Sequence, residues 1–313
     1  MESKAVGGMS DWSGLLKDFF RQIHDGTLTR EMLGHIVNHR AVYPSNEVSP
    51  DGDWIKPFCR RNCESLISFG ITDFDHALPV LRAKLEEIGP EQIASWQKLM
   101  LEPVYWPTIS LGPADNYVGW KKKPEEWYFR IAREGKIRWR DKIGELDRPE
   151  EPCRIQAGVY LVDTRLKPLY DNGRQMWTRD GKFLGKLIRK LRREKKIFAP
   201  DGTSPATRFY LSANEAEQYL IPLLACQKIY KGVKQWRSER VSEFNFISQC
   251  FSWMPRSRDG ETNTLIWFDD CFKDSGWRLD GGYSDHGGLA DVVYFDDADY
   301  HWYYRSFRPL AVL

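Results

Sequence analysis

Apolar residues recur at helical spacing through much of the first third of the chain. In "SDWSGLLKDFFRQIHDG" the stripe is Leu15, Leu16, Phe19, Phe20 and Ile23, and Gly26 is a stop signal. "TLTREMLGHIVNHR" predicts a second helix, opened by Thr27 or Thr29. The Pro/Gly/Asp-rich residues 44–57 read as a loop. Helical spacing returns over 78–88 and over 90–102, where Pro90 suits a first helical position. Residues 103–124 carry four Pro and two Gly and read as a linker or an irregular crossing. The pattern predicts a mostly helical N-terminal region, residues 1–125.

The second half changes period. "QAGVYLVD" (156–163) has the β-branched and aromatic content of a strand. Residues 182–198 predict an amphipathic helix with Phe183, Leu184, Leu187, Ile188 and Leu191 inward. Ser212 with Glu215 three residues on is a capping box, and Pro222 should kink or shorten the helix it opens. After about residue 240 come short strands between Gly/Asp turns: "TLIWFDD", "WRLDGGYSD", "ADVVYF" and "RSFRPLAVL". One strand, two helices and a run of short strands make an α+β domain over residues 150–313.

Composition narrows the classes. A net charge of +2 on 313 residues gives no global reason to bind nucleic acid or a membrane. No apolar run reaches the ~18 residues of a spanning helix, and no secretory leader is visible. Six Cys are too few for a disulfide scaffold. The expectation is a cytoplasmic or virion-associated protein without membrane insertion and without a cofactor.

The tail is the anomaly. Tyr283 to Tyr304 spans 22 residues, of which five are Tyr and five Asp, with no Lys, Glu, Gln or Met. Glu261 is the last Glu of the chain, yet nine Asp follow it. Strands favour Tyr and turns favour Asp, which accounts for part of the bias.

The order of elements and three stretches resemble the C-type lectin fold in its disulfide-free branch. That branch is shared by formylglycine-generating enzymes and the variable proteins of diversity-generating retroelements. "RFYLSANEAEQYLIPLLA" (208–225) looks like the branch's helix opening, "RLDGGYSD" (278–285) like its Arg-Gly-Gly turn, and "RSFRPLAVL" (305–313) like its closing strand, with Ser306 where Gly is usual. The resemblance covers residues 150–313. It implies that miscopied adenines diversify Asn codons near the 3′ end, which then cannot encode Lys, Glu, Gln, Met or Trp. These five types are 68 of the 313 residues, so about five belong in 22; one, Trp302, occurs.

The resemblance therefore implies a receptor-like binding protein without catalysis, its partner an unknown protein or surface ligand. The hypervariable tail is 283–306. The candidate contact residues are Tyr283, Ser284, Asp285, His286, Asp291, Tyr294, Phe295, Asp296, Asp297, Asp299, Tyr300, His301, Tyr303 and Tyr304. Tyr offers large amphipathic area at low rotamer cost, and Asp, His and Ser add adaptable polar contacts. If "DYHWYY" is a strand with Trp302 buried, Tyr300 and Tyr304 share its face while His301 and Tyr303 face away. Val292 and Val293 read as core, Gly281, Gly282, Gly287 and Gly288 as turn glycines, and Arg308 as an anchor.

Other readings stand beside this one. From Lys182 to Lys196 eight Lys or Arg accompany one Glu, a possible phosphate-binding stripe and hence a nucleic-acid-binding alternative. The same charges suit the wet face of a packed helix, and "DKIGELDRPEEP" nearby offers acidic partners. An enzyme of the formylglycine-generating type would need paired cysteines, but Cys250 and Cys271 read as buried small hydrophobes. His35 and His39 sit at i and i+4, a zinc-gripping spacing without the Glu of the metalloprotease motif; Cys59 and Cys63 have no evident link to them. The tail aspartates match no calcium loop and lack a bidentate Glu.

Overall fold

The computed structural model describes residues 53–72, 77–139, 151–272, 277–295 and 297–313. The helices expected over 11–40, with His35 and His39, lie outside the described residues. The chain divides into Met1–Val48 and Ser49–Leu313, and every described residue belongs to the second unit. It is a mixture of helix and sheet, as an α+β class requires.

Three helices open the unit: α1 (Lys56–Phe69), α2 (Ala77–Ile88) and α3 (Pro90–Lys98). Pro90 takes the first turn of α3, where its missing N–H costs nothing. Then comes a difference from the sequence reading. Leu101–Trp106 is not linker but strand β1, buried along its whole length and paired antiparallel with β5 (Gly158–Asp163). Pro103 misled because proline breaks central strands; β1 is an edge strand, where a missing donor is tolerated. The α1 side chain of Asn62 covers that edge. Its amide donates to Tyr105 O at 2.9 Å and its oxygen accepts from Tyr105 N at 2.8 Å. Trp106 stacks on Tyr160 of β5 at 4.0 Å. The helical segment is thus stitched to the sheet, and no boundary falls near 125.

A short ribbon joins β2 (Ile109–Ser110) to β4 (Arg154–Ile155), α4 spans Glu126–Arg133 and β3 Ile137–Trp139. After β5 come α5 (Leu184–Arg193), with Leu184, Leu187, Ile188 and Leu191 buried, and α6 (Ala213–Glu215). The capping box is present: Ser212 Oγ accepts from Glu215 N and Glu215 accepts from Ser212 N. Pro222 does not end the helix. The ladder widens to a π-helical stretch over Ala216–Leu220 and continues as α7 (Ile221–Ala225), which absorbs the missing N–H. Then follow β6 (Gln235–Ser238), α8 (Val241–Cys250), β7 (Leu265–Phe272), β8 (Arg278–Gly281), β9 (Val292–Phe295), β10 (Arg305–Phe307) and β11 (Pro309–Val312).

Two sheets result. One runs β1-β5-β11-β6, all antiparallel. The other runs β10-β7-β8-β9, with β3 also on β7; only β10 with β7 is parallel. The closing "RSFRPLAVL" is two strands, not one. The chain leaves one sheet for the other at Arg308, and Pro309 opens β11. No helix among the described residues is long and apolar enough to cross a membrane.

Where the sheets meet, the interior is ionic. Asp163 at the end of β5 lies 2.7 Å from both Arg165 and Arg208. Arg208 also grips Asp180 through two bonds of 2.8 and 2.7 Å. Arg308 pairs with Asp259 at 2.6 Å and donates to Arg165 O at 2.8 Å, and Arg256 forks onto Glu239 at 2.6 and 2.7 Å. All of these side chains are essentially inaccessible to solvent. Burial alone would raise Asp163, but Arg165, Arg208 and Arg308 hold it well below the usual carboxylate range. Arg308 is thus the anchor the sequence suggested.

Candidate ligand-binding surface

The tail leaves β8 through a tight turn that only small residues permit. Gly281 packs so closely that a Cβ there would stand 2.1 Å from Asp291 O, and Gly282 has φ +96°. Asp291 O accepts from Gly282 N at 3.2 Å, and its carboxylate accepts from Tyr283 N at 2.8 Å. Lys167 enters from the interior and donates to Gly282 O and Thr264 O, both at 2.6 Å. Gly288, at φ +64°, approaches Gly260 so closely that a Cβ would stand 2.5 Å from Gly260 O. Leu289 is buried, and its carbonyl accepts from Asn245 of α8 at 2.6 Å.

The 297–304 loop is held by its backbone. The carbonyls of Ala298, Trp302, Tyr303 and Tyr304 accept, respectively, from Asn214 N (3.1 Å), Tyr210 N (3.1 Å), Gln175 Nε2 (2.6 Å) and Leu265 N (2.8 Å). All four donors lie outside the tail. Asp297 caps its own turn by accepting from Asp299 N at 2.8 Å.

With the backbone so fixed, the aromatic rings assemble at the surface. His286 lies 4.9 Å from Tyr283, Tyr283 6.2 Å from Tyr304, and Tyr304 4.9 Å from Tyr303 and 5.2 Å from Trp302. Trp302 in turn lies 4.9 Å from Tyr300. Tyr300 and Tyr303 are 42% and 39% exposed. Asp285, His286, Asp297 and Asp299 are exposed, and Tyr283, Ser284, His301 and Tyr304 half-buried. Such a ridge of amphipathic rings edged by carboxylates can bind a partner by contact and hydrogen bonding.

Several expectations change. Asp291 is 2% exposed, and its carboxylate closes the turn rather than facing a ligand. Burial raises its pKa, against the pull of the Tyr283 N–H. Tyr300 to Tyr304 is not a strand, so the alternation argued for "DYHWYY" does not apply: Trp302 is half-buried and packs on Tyr300, Tyr303 and Tyr304 alike. His301 is partly framework, 3.0 Å from Glu215 and with its ring tilted against Phe198 at 4.6 Å. Val292 is core and Val293 half-exposed. Gly282, Gly287 and Gly288 have positive φ; Gly281 serves close approach instead. Asp296 and the side chains of Tyr294 and Phe295 lie outside the described residues.

One member of the ridge was missed. Tyr170 lies 5.1 Å from Tyr303 and 6.3 Å from Tyr304, and its neighbour Leu169 is 62% exposed. The signal was an apolar pair, Leu169 and Tyr170, directly before an Asp-Asn-Gly turn. Cys250 and Cys271 are buried, and burial pushes the Cys250 thiol far up. Among the described residues no three His, Cys, Asp or Glu are grouped to hold a metal ion. No family model, curated protein or solved structure significantly matches the chain.

Proposed function

We propose that this chain is a receptor-like binding protein, without catalysis, whose C-type lectin-like region at residues 150–313 displays a tail diversified by a retroelement. Its partner is a protein or surface ligand met by the aromatic ridge. The observation that carries the reading is the division of labour in the tail. Residues outside the tail grip its backbone, so its outward side chains are free to change without changing the fold. The Tyr- and Asp-rich, Lys-, Glu-, Gln- and Met-free composition is what mutated Asn codons leave.

The test is a pair of libraries. One randomises Asp285, His286, Tyr300 and Tyr303; the other randomises Asp163, Asp259, Asp291 and Arg308. Most members of the first should remain protease-resistant, and binders to a chosen protein should be selectable from it; most members of the second should unfold. Equal loss of folding in both libraries would sink the proposal.

A further inference from the structure

A concave site lies in the same unit and shares no residue with the tail. Ser95, Lys98 and Leu99 at the end of α3, Arg179, Gly181 and Lys182 before α5, and Ile229 line an open cleft of about 720 Å³. That volume is in the range of small-molecule sites. Its only charged lining groups are three cations, and among the described residues the side chains of Lys98, Arg179 and Lys182 have neither an ion pair nor a hydrogen bond. Lys98, Arg179 and Lys182 are exposed, and three like charges around one concavity raise the local potential for an anion.

The walls are fixed from behind. Arg165 donates to Leu99 O on one side and to Thr178 O, at 2.9 Å, on the other, while Asp163 holds its guanidinium at 2.7 Å. Trp96 Nε1 donates to Ile229 O at 2.8 Å. Arg179 is held at φ +55°, a conformation uncommon for a residue with a side chain. A Cβ at Gly181 would meet no protein atom within 4 Å, so the backbone there is open to close approach by a ligand. Leu99 and Ile229 add apolar surface for an uncharged body.

We propose that this cavity binds a small phosphorylated molecule of nucleoside diphosphate size, its phosphates met by Lys98, Arg179 and Lys182. The shape favours a small ligand over a polynucleotide track. Farther along the basic stretch, Glu194 already partners Lys190 at 3.9 Å and Lys196 at 3.3 Å. Arg192 is buried and spends its guanidinium on the carbonyls of Phe198, Thr207 and Phe209.

Isothermal titration of the full chain with ADP, inorganic pyrophosphate and a (dT)20 strand tests this. ADP and pyrophosphate should bind in the micromolar range at ~0.15 M salt. Arg179→Gly, which keeps the backbone conformation, and Lys182→Gln should each weaken both ligands at least about tenfold. Gly181→Leu, which fills the space, should abolish ADP binding and leave the ligand-free Tm unchanged. The proposal fails if neither compound binds at about 5 mM, or if the three variants bind like the parent. It also fails if (dT)20 binds and loses as much affinity to Arg189→Gln and Lys190→Gln as to Arg179→Gly.

Discussion

Arg208 and Tyr303 belong to regions built on opposite rules. Around Arg208 every charge answers another: Asp163 and Asp180 take its guanidinium, Trp177 covers it at 4.4 Å, and no solvent reaches it. Around Tyr303 the backbone is committed but the side chain is not. Its carbonyl accepts from Gln175, while its ring is exposed among other rings. Side-chain identity is therefore fixed by buried ion pairs in the first region, while in the second the backbone is held independently of the exposed ring. The proposed diversified surface requires this separation.

Removing Arg208 should break the comparison most severely. Arg208→Met leaves Asp163 without one of its partners and Asp180 without its ion pair, both buried. The loss should be about 3–5 kcal/mol in chemical denaturation. A loss under about 1 kcal/mol would mean that water relieves the cluster.

Lys167 sharpens the contrast through pH. Burial pushes its ammonium down from 10.5 to about 7. Between those values the unfolded chain holds a proton that the folded chain lacks, so this group's contribution to stability grows as pH rises. Below about 7 both states are charged and the contribution is flat. Stability of the parent relative to Lys167→Met should rise from pH 7 toward 9.5, by up to about 1.4 kcal/mol per unit. A pH-independent difference would show that Lys167 keeps its proton.

Ser212→Ala removes one local bond from the capping box and should cost about 1 kcal/mol. The smallest effects belong to the displayed side chains. Tyr303→Ser and Asp285→Ala should each change stability by no more than about 0.5 kcal/mol, read as Tm. Losses like that of Arg208→Met would make the ridge part of the core.

The two regions were also unequally legible. Local signals were sound: the apolar stripe of α5, the β-branched run of β5 and the Ser212–Glu215 box all formed as their spacing predicts. β1 was hidden because Pro103 reads as a breaker until its edge position is known. The ion cluster was hidden because its pairs are distant in sequence, Arg308 with Asp259 and Arg208 with Asp180 among them. Composition singled out the tail, but it cannot separate an Asp that closes a turn, such as Asp291, from one that faces solvent, such as Asp285. Tyr170 reaches the ridge only through tertiary packing.

The most direct test of the central claim is deep sequencing of this gene's 3′ end in a natural population. Substitutions should fall at adenine-matched positions in the codons for Asp285, His286, Tyr300 and Tyr303, with Gly281, Asp291 and Arg308 constant. A tail that varies no more than β5 and α5 would contradict the claim.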